Sequence, residues 1–175
     1  MSFVHAPNFG GLNFLKVMAL GLVLTVLQGA ALPWPGGAAP EPAVILVVYV
    51  AWRSEKWLAV LAAFFLGLFR DAAGGGLLGA HQVTLILSAL IFHPWRRVIP
   101  LEAALPLALC VFALTLGGNL LILVPLLTLS GWPWPNLSPF SAFLVSALTT
   151  ALSAPPVFWL IQRLTGGPAS SRRHG

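Results

Sequence analysis

Charged side chains are too scarce in this chain to cover the surface of a soluble domain. They make up 7% of its 175 residues, whereas hydrophobic residues make up 58% and the mean hydropathy is +0.92. A water-soluble domain carries roughly a quarter charged residues, because its surface must be hydrated. The composition therefore predicts an integral membrane protein whose surface is covered mostly by lipid.

Six apolar runs divide the chain, and a spanning helix needs about 20 mostly apolar residues to cross about 30 Å of hydrocarbon. We therefore expect an all-α, polytopic membrane protein with about six transmembrane helices. One transmembrane domain covers residues 1–162, and a basic cytoplasmic tail over 163–175 is expected to be disordered. The runs are Phe14–Leu32, Ala43–Trp52, Trp57–Phe69, Leu77–Trp95, Leu101–Leu129 and Phe140–Ile161.

The runs differ in length, and this shapes the expected spans. The second and third are too short to cross upright comfortably, which predicts thin, tilted or interrupted spans. The fifth contains Pro106 and Pro125, and we count it as one tilted or kinked helix. The first is longer than the core of a usual signal peptide and more spans follow it, so we expect it to be retained.

Basic residues predict the orientation of these spans. The loops over residues 33–42 and 130–139 contain only Glu41 as a charge, whereas lysine and arginine occupy the alternate segments. Cytoplasmic loops carry an excess of these residues, so both termini are expected to be cytoplasmic. Tryptophans near the ends of the runs are expected to act as interface anchors: Trp34, Trp52, Trp57, Trp95, Trp132 and Trp134.

A charged pair, Arg70 and Asp71, lies at the outer end of the third run, within the segment GLFRDAAGGGLLGAHQ. A carboxylate costs on the order of 2.5 to 3.5 kcal/mol at the centre of a span and persists when it is partnered. We expect Asp71 to be buried and bonded, with backbone amides favoured over His81 and Arg70 as partners. The alternative is that Asp71 carries protons or binds a cation, but a relay needs several such groups and only His81 and His93 are near.

Small residues follow the same charged pair. Three consecutive glycines, which include Gly75 and Gly76, predict a tight turn between the third and fourth runs. Small residues four positions apart let helices approach closely in lipid, either within the protein or against a partner helix. Both alternatives remain open for the set Ala63, Gly67, Gly75 and Gly79.

Catalytic, metal-binding and nucleic-acid-binding signals are weak. Four acids, four histidines and Cys110 form no familiar catalytic or metal-binding pattern, which predicts neither an enzyme, a metal, nor a cofactor. The glycine pattern G-x-G-x-x-G occurs after an apolar helix and not after a strand, and the basic residues form no continuous stripe. Three hydroxyl side chains are expected to bond their own helix backbone: Ser88, Thr115 and Thr128.

One pattern in the second, third and fourth runs is typical of a known family. A proline precedes a short apolar segment that ends with aromatic residues and a basic turn, and a Gly-Leu pair, an aspartate, two glycines and a Leu-Gly pair follow. Over residues 42–92 the pattern resembles the bacterial rod shape-determining protein MreD family. The matching residues are Pro42, Tyr49, Trp52, Arg53, Gly67, Leu68, Asp71, Gly75, Gly76, Leu78 and Gly79.

The resemblance implies a non-enzymatic scaffold subunit of the cell elongation (Rod) machinery in the bacterial inner membrane. Such a subunit would organise side-wall peptidoglycan synthesis and rod shape with MreC, in a complex with MreB, RodA and the elongation transpeptidase. Membrane lipid is the remaining expected partner, and no nucleic acid is expected to bind. The family is similar in fold to the substrate-binding subunits of energy-coupling-factor vitamin transporters, and this gives an alternative function. In that alternative, Asp71 and the tryptophans of the two outer loops would line a pocket, but few polar groups are present to recognise a vitamin.

Overall fold

The computed structural model describes residues 10–30, 39–74, 79–130 and 138–166. Over those ranges the chain forms six α-helices and no strand, which confirms the all-helical prediction. The predicted tail over 163–175 lies mostly outside the described residues. The helices are α1 Gly11–Ala30, α2 Pro42–Arg53, α3 Lys56–Gly74, α4 Ala80–Trp95, α5 Ala104–Ser130 and α6 Ser138–Leu164.

Three of these helices are long and apolar enough to cross a membrane, which agrees with a helical membrane protein. The qualifying segments are Gly11–Gln28 in α1, Ala104–Leu123 in α5 and Phe140–Leu164 in α6. Helix α2 is apolar but has only 12 residues, which corresponds to a rise of about 18 Å. The described residues therefore show membrane-spanning character at three helices, and six crossings stay a prediction.

Helix α2 lies at the centre of the bundle. Every residue from Ala43 to Ala51 is at most 5% exposed, and the helix contacts each of the other five. A helix that is apolar on all sides is typically buried, because no side of it favours water. The second apolar run, which predicts a thin or interrupted span, is thus a helix in the core that the other helices surround.

Several helix boundaries differ from the limits of the apolar runs, and three of these differences change where a charged side chain or the start of α4 lies. Helix α3 continues through Arg70 and Asp71, so both charged residues belong to its last turns. Helix α4 begins at Ala80, three residues later than the fourth run. Helix α6 extends to Leu164 and therefore includes Arg163, which the run boundaries assign to the tail. Hydropathy alone misses the ends of α3 and α6, because Asp71 and Arg163 have partners that let the helix continue past its apolar run.

Two helix pairs run side by side, α3 with α4 and α5 with α6. Helix α5 is continuous over 27 residues despite Pro106 and Pro125, which confirms that the fifth run is one helix. At Gly118 of α5, an added Cβ would lie 2.5 Å from Cγ2 of Thr84 in α4. Glycine therefore lets α5 approach α4 closely at this level of the bundle.

Candidate functional site

The carboxylate of Asp71 joins the end of α3 to the start of α4. Asp71 is 3% exposed, and its oxygens accept hydrogen bonds from the backbone amides of Gly79 at 2.8 Å, His81 at 3.1 Å and Gln82 at 3.3 Å. The ring nitrogen Nδ1 of His81 lies 2.9 Å from Oδ1 and is its fourth partner. The prediction that Asp71 is buried and bonded mainly to amides is confirmed.

These bonds satisfy a helix end that has no cap of its own. The first amides of a helix lack intrahelical partners, and a serine, threonine, aspartate or asparagine at the preceding position commonly accepts from them. Gly79 occupies that position in α4, with φ of 93°, and it has no side chain to do so. The aspartate of α3 supplies the missing acceptor, and its negative charge also suits the positive end of the α4 dipole.

A second acid, Glu41, lies close to this junction just before α2. Its carboxyl is within electrostatic range of His81 and Arg70. Burial raises the pKa of Glu41, and the charges of His81 and Arg70 partly offset that rise. Arg70 makes no ion pair with Asp71 in the described part of the chain, and its buried Nε has no hydrogen-bond partner. The arginine is thus a neighbour of the acidic groups and, of the three candidate partners of Asp71, the one that makes no bond to it.

The segment before α2 is tied to helix α6 at the same end of the bundle. The amide of Glu41 donates to Oγ1 of Thr150 at 2.9 Å, and Oγ of Ser146 donates to the carbonyl of Ala39 at 3.1 Å. Both hydroxyl residues are buried, Thr150 completely. This end of the bundle, defined by Glu41, Asp71, His81 and Thr150, is called the Asp71 end below.

Small residues of α3 bring α4 against it. Gly67 is buried, and an added Cβ would overlap the backbone of Gln82, lying 2.8 Å from its nitrogen. Ala63, one turn earlier, is fully buried. Of the two alternatives for these small residues, the structure shows packing inside the protein at Gly67. Gly79 has open space around it but a positive φ, whereas Gly75 and Gly76 lie outside the described residues.

The opposite end of the bundle is held by bonds to the carboxyl termini of helices. Arg96 donates to the carbonyls of Ala51 and Ser54 at the end of α2, and Lys16 donates to the carbonyl of Leu164 at 3.2 Å. The hydroxyls of Tyr49 and Thr165 are 2.6 Å apart. We call this the basic end, because six lysine and arginine side chains lie there: Lys16, Arg53, Lys56, Arg96, Arg97 and Arg163.

The predicted interface tryptophans have different environments. Trp57 is 60% exposed and Trp95 is 56% exposed, and both lie at the basic end. Trp52 is partly buried, because its ring packs against Phe158 with a centroid distance of 5.4 Å. It is therefore part of the core contact between α2 and α6. Trp34, Trp132 and Trp134 lie outside the described residues.

Helix α5 carries two buried polar groups without partners. Thr115 is 1% exposed and Asn119 is 5% exposed, yet neither Oγ1 of Thr115 nor Nδ2 of Asn119 has a hydrogen-bond partner. The prediction that Thr115 bonds its own helix is wrong, whereas Ser88 does donate to the carbonyl of Thr84 at 2.9 Å. The side chain of Thr128 is outside the described set. Sequence alone would place Thr115 and Asn119 on one helix face, since they are four residues apart.

Neither a metal site nor a known relative identifies the chain. Among the residues that the structure describes, no group of three or more histidine, cysteine, aspartate or glutamate side chains could hold a metal ion. Comparisons with protein-family models, curated proteins and solved structures gave no match. The candidate site is therefore defined by its geometry, which is a buried acid that caps a helix from its neighbour.

Proposed function

We propose that this protein is a non-enzymatic scaffold subunit of the bacterial elongation machinery, acting with MreC in the inner membrane to organise side-wall peptidoglycan synthesis. The observation that carries the proposal is the role of the segment that resembles MreD. Residues 42–92 form the buried helix α2 and the α3–α4 pair that Asp71 joins. The described residues of the motif thus belong to the central helix and to the helix pair beside it, which suits a subunit that works by presenting surfaces to other proteins.

The proposal includes six membrane crossings with both termini in the cytoplasm. Its support is that six of the seven lysine and arginine side chains in the described residues lie at the basic end, and only Arg70 lies at the Asp71 end. The ends of α2, α4 and α6 meet at the basic end through Arg96, Tyr49 and Thr165, and lysine and arginine favour the cytoplasmic side. Reporter fusions after Lys56, Arg97 and Gly175 are expected to be inside. Fusions after Gly37 and Ser130 are expected to be outside, and an outside signal at Gly175 would contradict the topology.

Contact with MreC is proposed to include helix packing within the membrane, with MreB, RodA and the transpeptidase in the same complex. Gly67 is already occupied by the α3–α4 contact, and Ala63 is fully buried inside the protein. The partner helix must therefore use another surface. Several exposed apolar side chains of α1 are accessible for such packing, among them Leu15, Leu22 and Val26.

A second candidate function is the substrate-binding subunit of a small-molecule transporter. The observation that favours it is on α5, where Oγ1 of Thr115 and Nδ2 of Asn119 are buried without a hydrogen-bond partner among the described residues. Buried polar groups in a largely apolar site are what a small polar ligand would need for recognition. The scaffold remains our main proposal, since it rests on the whole α2–α4 frame and the transporter on two side chains.

Purification separates the two functions. The tagged protein is extracted from its native membrane in a mild detergent, and the attached proteins are identified by mass spectrometry. An unrelated tagged protein with a similar number of spans serves as the control for non-specific attachment. Recovery of MreC and cell-wall synthases supports the scaffold. Recovery of an ATPase module with a coupling subunit would overturn it in favour of the transporter.

A further inference from the structure

The lysines and arginines of the basic end are not equally engaged. Arg96 donates to the end of α2 and Lys16 to the end of α6. Arg53 and Arg163 lie over tryptophan rings, Arg163 at 3.8 Å from the ring centroid of Trp159. Lys56 and Arg97 are exposed, and neither makes a hydrogen bond or a salt bridge to any residue in the described ranges.

The contact that Arg96 makes with the end of α2 brings the end of α4 to the start of α3. Arg96 donates to the carbonyl of Ser54, two residues before Lys56, and Arg97 follows Arg96 in the chain. Lys56, Arg96 and Arg97 also lie within electrostatic range of His93. Glu55, the acid next to them in the chain, accepts a hydrogen bond from Nε1 of Trp57 at 2.8 Å. It forms no salt bridge with a lysine or an arginine of the described residues. The site is therefore a group of like charges that a nearby anion would stabilise.

Exposed apolar side chains surround this group of charges. Trp57 and Trp95 are both more than half exposed, as are Ile91 at 55% and Val98 at 71%. Tryptophan favours the headgroup level of a bilayer, and basic pockets beside membrane helices bind anionic headgroups. A free anion would use the charges alone, whereas a phospholipid would also cover the apolar side chains.

We propose that an anionic phospholipid binds at the basic end of the α3–α4 pair. Its phosphate lies between Lys56 and Arg97, and its acyl chains cover the exposed side of α4 at Ile91 and Trp95. The exposed tryptophans fix the depth of the headgroup. The same lipid would also offset the repulsion of Lys56 and Arg97 on Arg96, which donates to the end of α2.

The test measures phosphatidylglycerol binding to the full chain in detergent by native mass spectrometry. We expect Arg97→Gln to weaken binding by roughly fivefold, because each cation near an anionic headgroup contributes about a fivefold increase in affinity. The double variant Lys56→Gln/Arg97→Gln should weaken binding by roughly twentyfold. Arg163→Gln is the matched control, because it removes one cation from the same end but from α6. It is expected to bind the lipid as the wild type does.

Three outcomes would overturn the proposal. The first is unchanged binding by the double variant, and the second is an equal loss in Arg163→Gln, which would indicate diffuse charge and not a site. The third is displacement of bound phosphatidylglycerol by inorganic phosphate as effectively as by added lipid, which would indicate a site for a free anion. A Lys56→Arg/Arg97→Lys variant keeps both charges and is expected to retain binding. Its behaviour separates loss of charge from loss of folding.

Discussion

The two ends of the bundle satisfy unpaired helix termini in opposite ways. At the Asp71 end, one buried carboxylate accepts from the amides of Gly79, His81 and Gln82 at the start of α4 and contacts the ring nitrogen of His81. At the basic end, separate donors from different helices bond the terminal carbonyls of α2 and α6, chiefly Arg96 and Lys16. Both arrangements follow the helix dipole, with an acid at an amino terminus and bases at carboxyl termini. At the Asp71 end one side chain makes all of these bonds, whereas at the basic end several side chains share them. One substitution should therefore destabilise the Asp71 end far more than the basic end.

The largest effect is expected for Asp71→Ala. It leaves the amides of Gly79, His81 and Gln82 without an acceptor in a poorly hydrated site, and each unpaired buried group costs about 1 to 3 kcal/mol. We expect a loss of roughly 3 to 9 kcal/mol, a large share of the 5 to 15 kcal/mol typical of a domain. The checks are the protein level in membranes and thermal unfolding in detergent.

Glu102→Ala is the control for Asp71→Ala, because it removes an exposed acid. It is expected to leave both the level and the melting temperature near those of the wild type. Normal accumulation of Asp71→Ala together with loss of rod shape would mean that Asp71 contacts a partner protein. The Asp71 end would then not be the structural junction described here.

Gly67→Ala is the next largest, and it has a matched control in Gly117→Ala. A methyl group at Gly67 would overlap the backbone of Gln82, whereas a methyl group at Gly117 meets nothing within 4 Å. Overpacking of this kind typically costs about 1 to 3 kcal/mol. In an open helix position the same change stabilises by about 0.5 to 1 kcal/mol. Equal melting temperatures for the two variants would contradict the close α3–α4 contact.

Much of the Asp71 end is predictable from sequence, because a carboxylate beside glycines within an apolar chain has few ways to be satisfied. The amide partners follow from that argument, and the structure confirms them. The role of Gly79 as the cap position before α4, without a side chain to accept from the helix amides, does not follow. It depends on a helix start that hydropathy puts three residues earlier.

The position of α2 is only partly predictable. Its apolar residues on all sides favour burial, but its length equally fits a thin span. Packing of α2 against five other helices decides in favour of a buried helix, and this packing depends on the whole bundle. Tyr49 and Thr165 are 116 residues apart, so no local pattern predicts their bond.

A smaller effect is expected for Tyr49→Phe at the basic end. The substitution removes the tyrosine hydroxyl that is bonded to Thr165, but the threonine hydroxyl keeps its bond to the carbonyl of Ile161. The edge contact of the ring with Phe158 is also retained. A hydrogen bond contributes about 1 kcal/mol net, and we expect a loss of that size in detergent unfolding. A loss as great as that of Asp71→Ala would break the contrast between the two ends.

The smallest effect, and one that depends on pH, is expected for Glu41→Gln. Because the pKa of Glu41 is raised in the folded state, its protonated form favours folding. That contribution is full below the ordinary pKa of the carboxyl and is lost as pH rises through the folded value. Glutamine mimics the neutral form, so the variant should melt slightly above the wild type at neutral pH. The difference in melting temperature between the variant and the wild type should shrink in acid. A difference that grows in acid would contradict a raised pKa for Glu41.

Hydrogen exchange at the start of α4 tests most directly whether Asp71 holds that helix end. Exchange of the amides of Gly79, His81 and Gln82 is measured by mass spectrometry in detergent for the wild type and for Asp71→Asn, which keeps one acceptor oxygen. We predict protection in the wild type and exchange at least about tenfold faster in the variant, equivalent to about 1.4 kcal/mol. Amides near Tyr49 at the basic end should be unaffected. Equal protection of the α4 amides in both proteins would contradict the account.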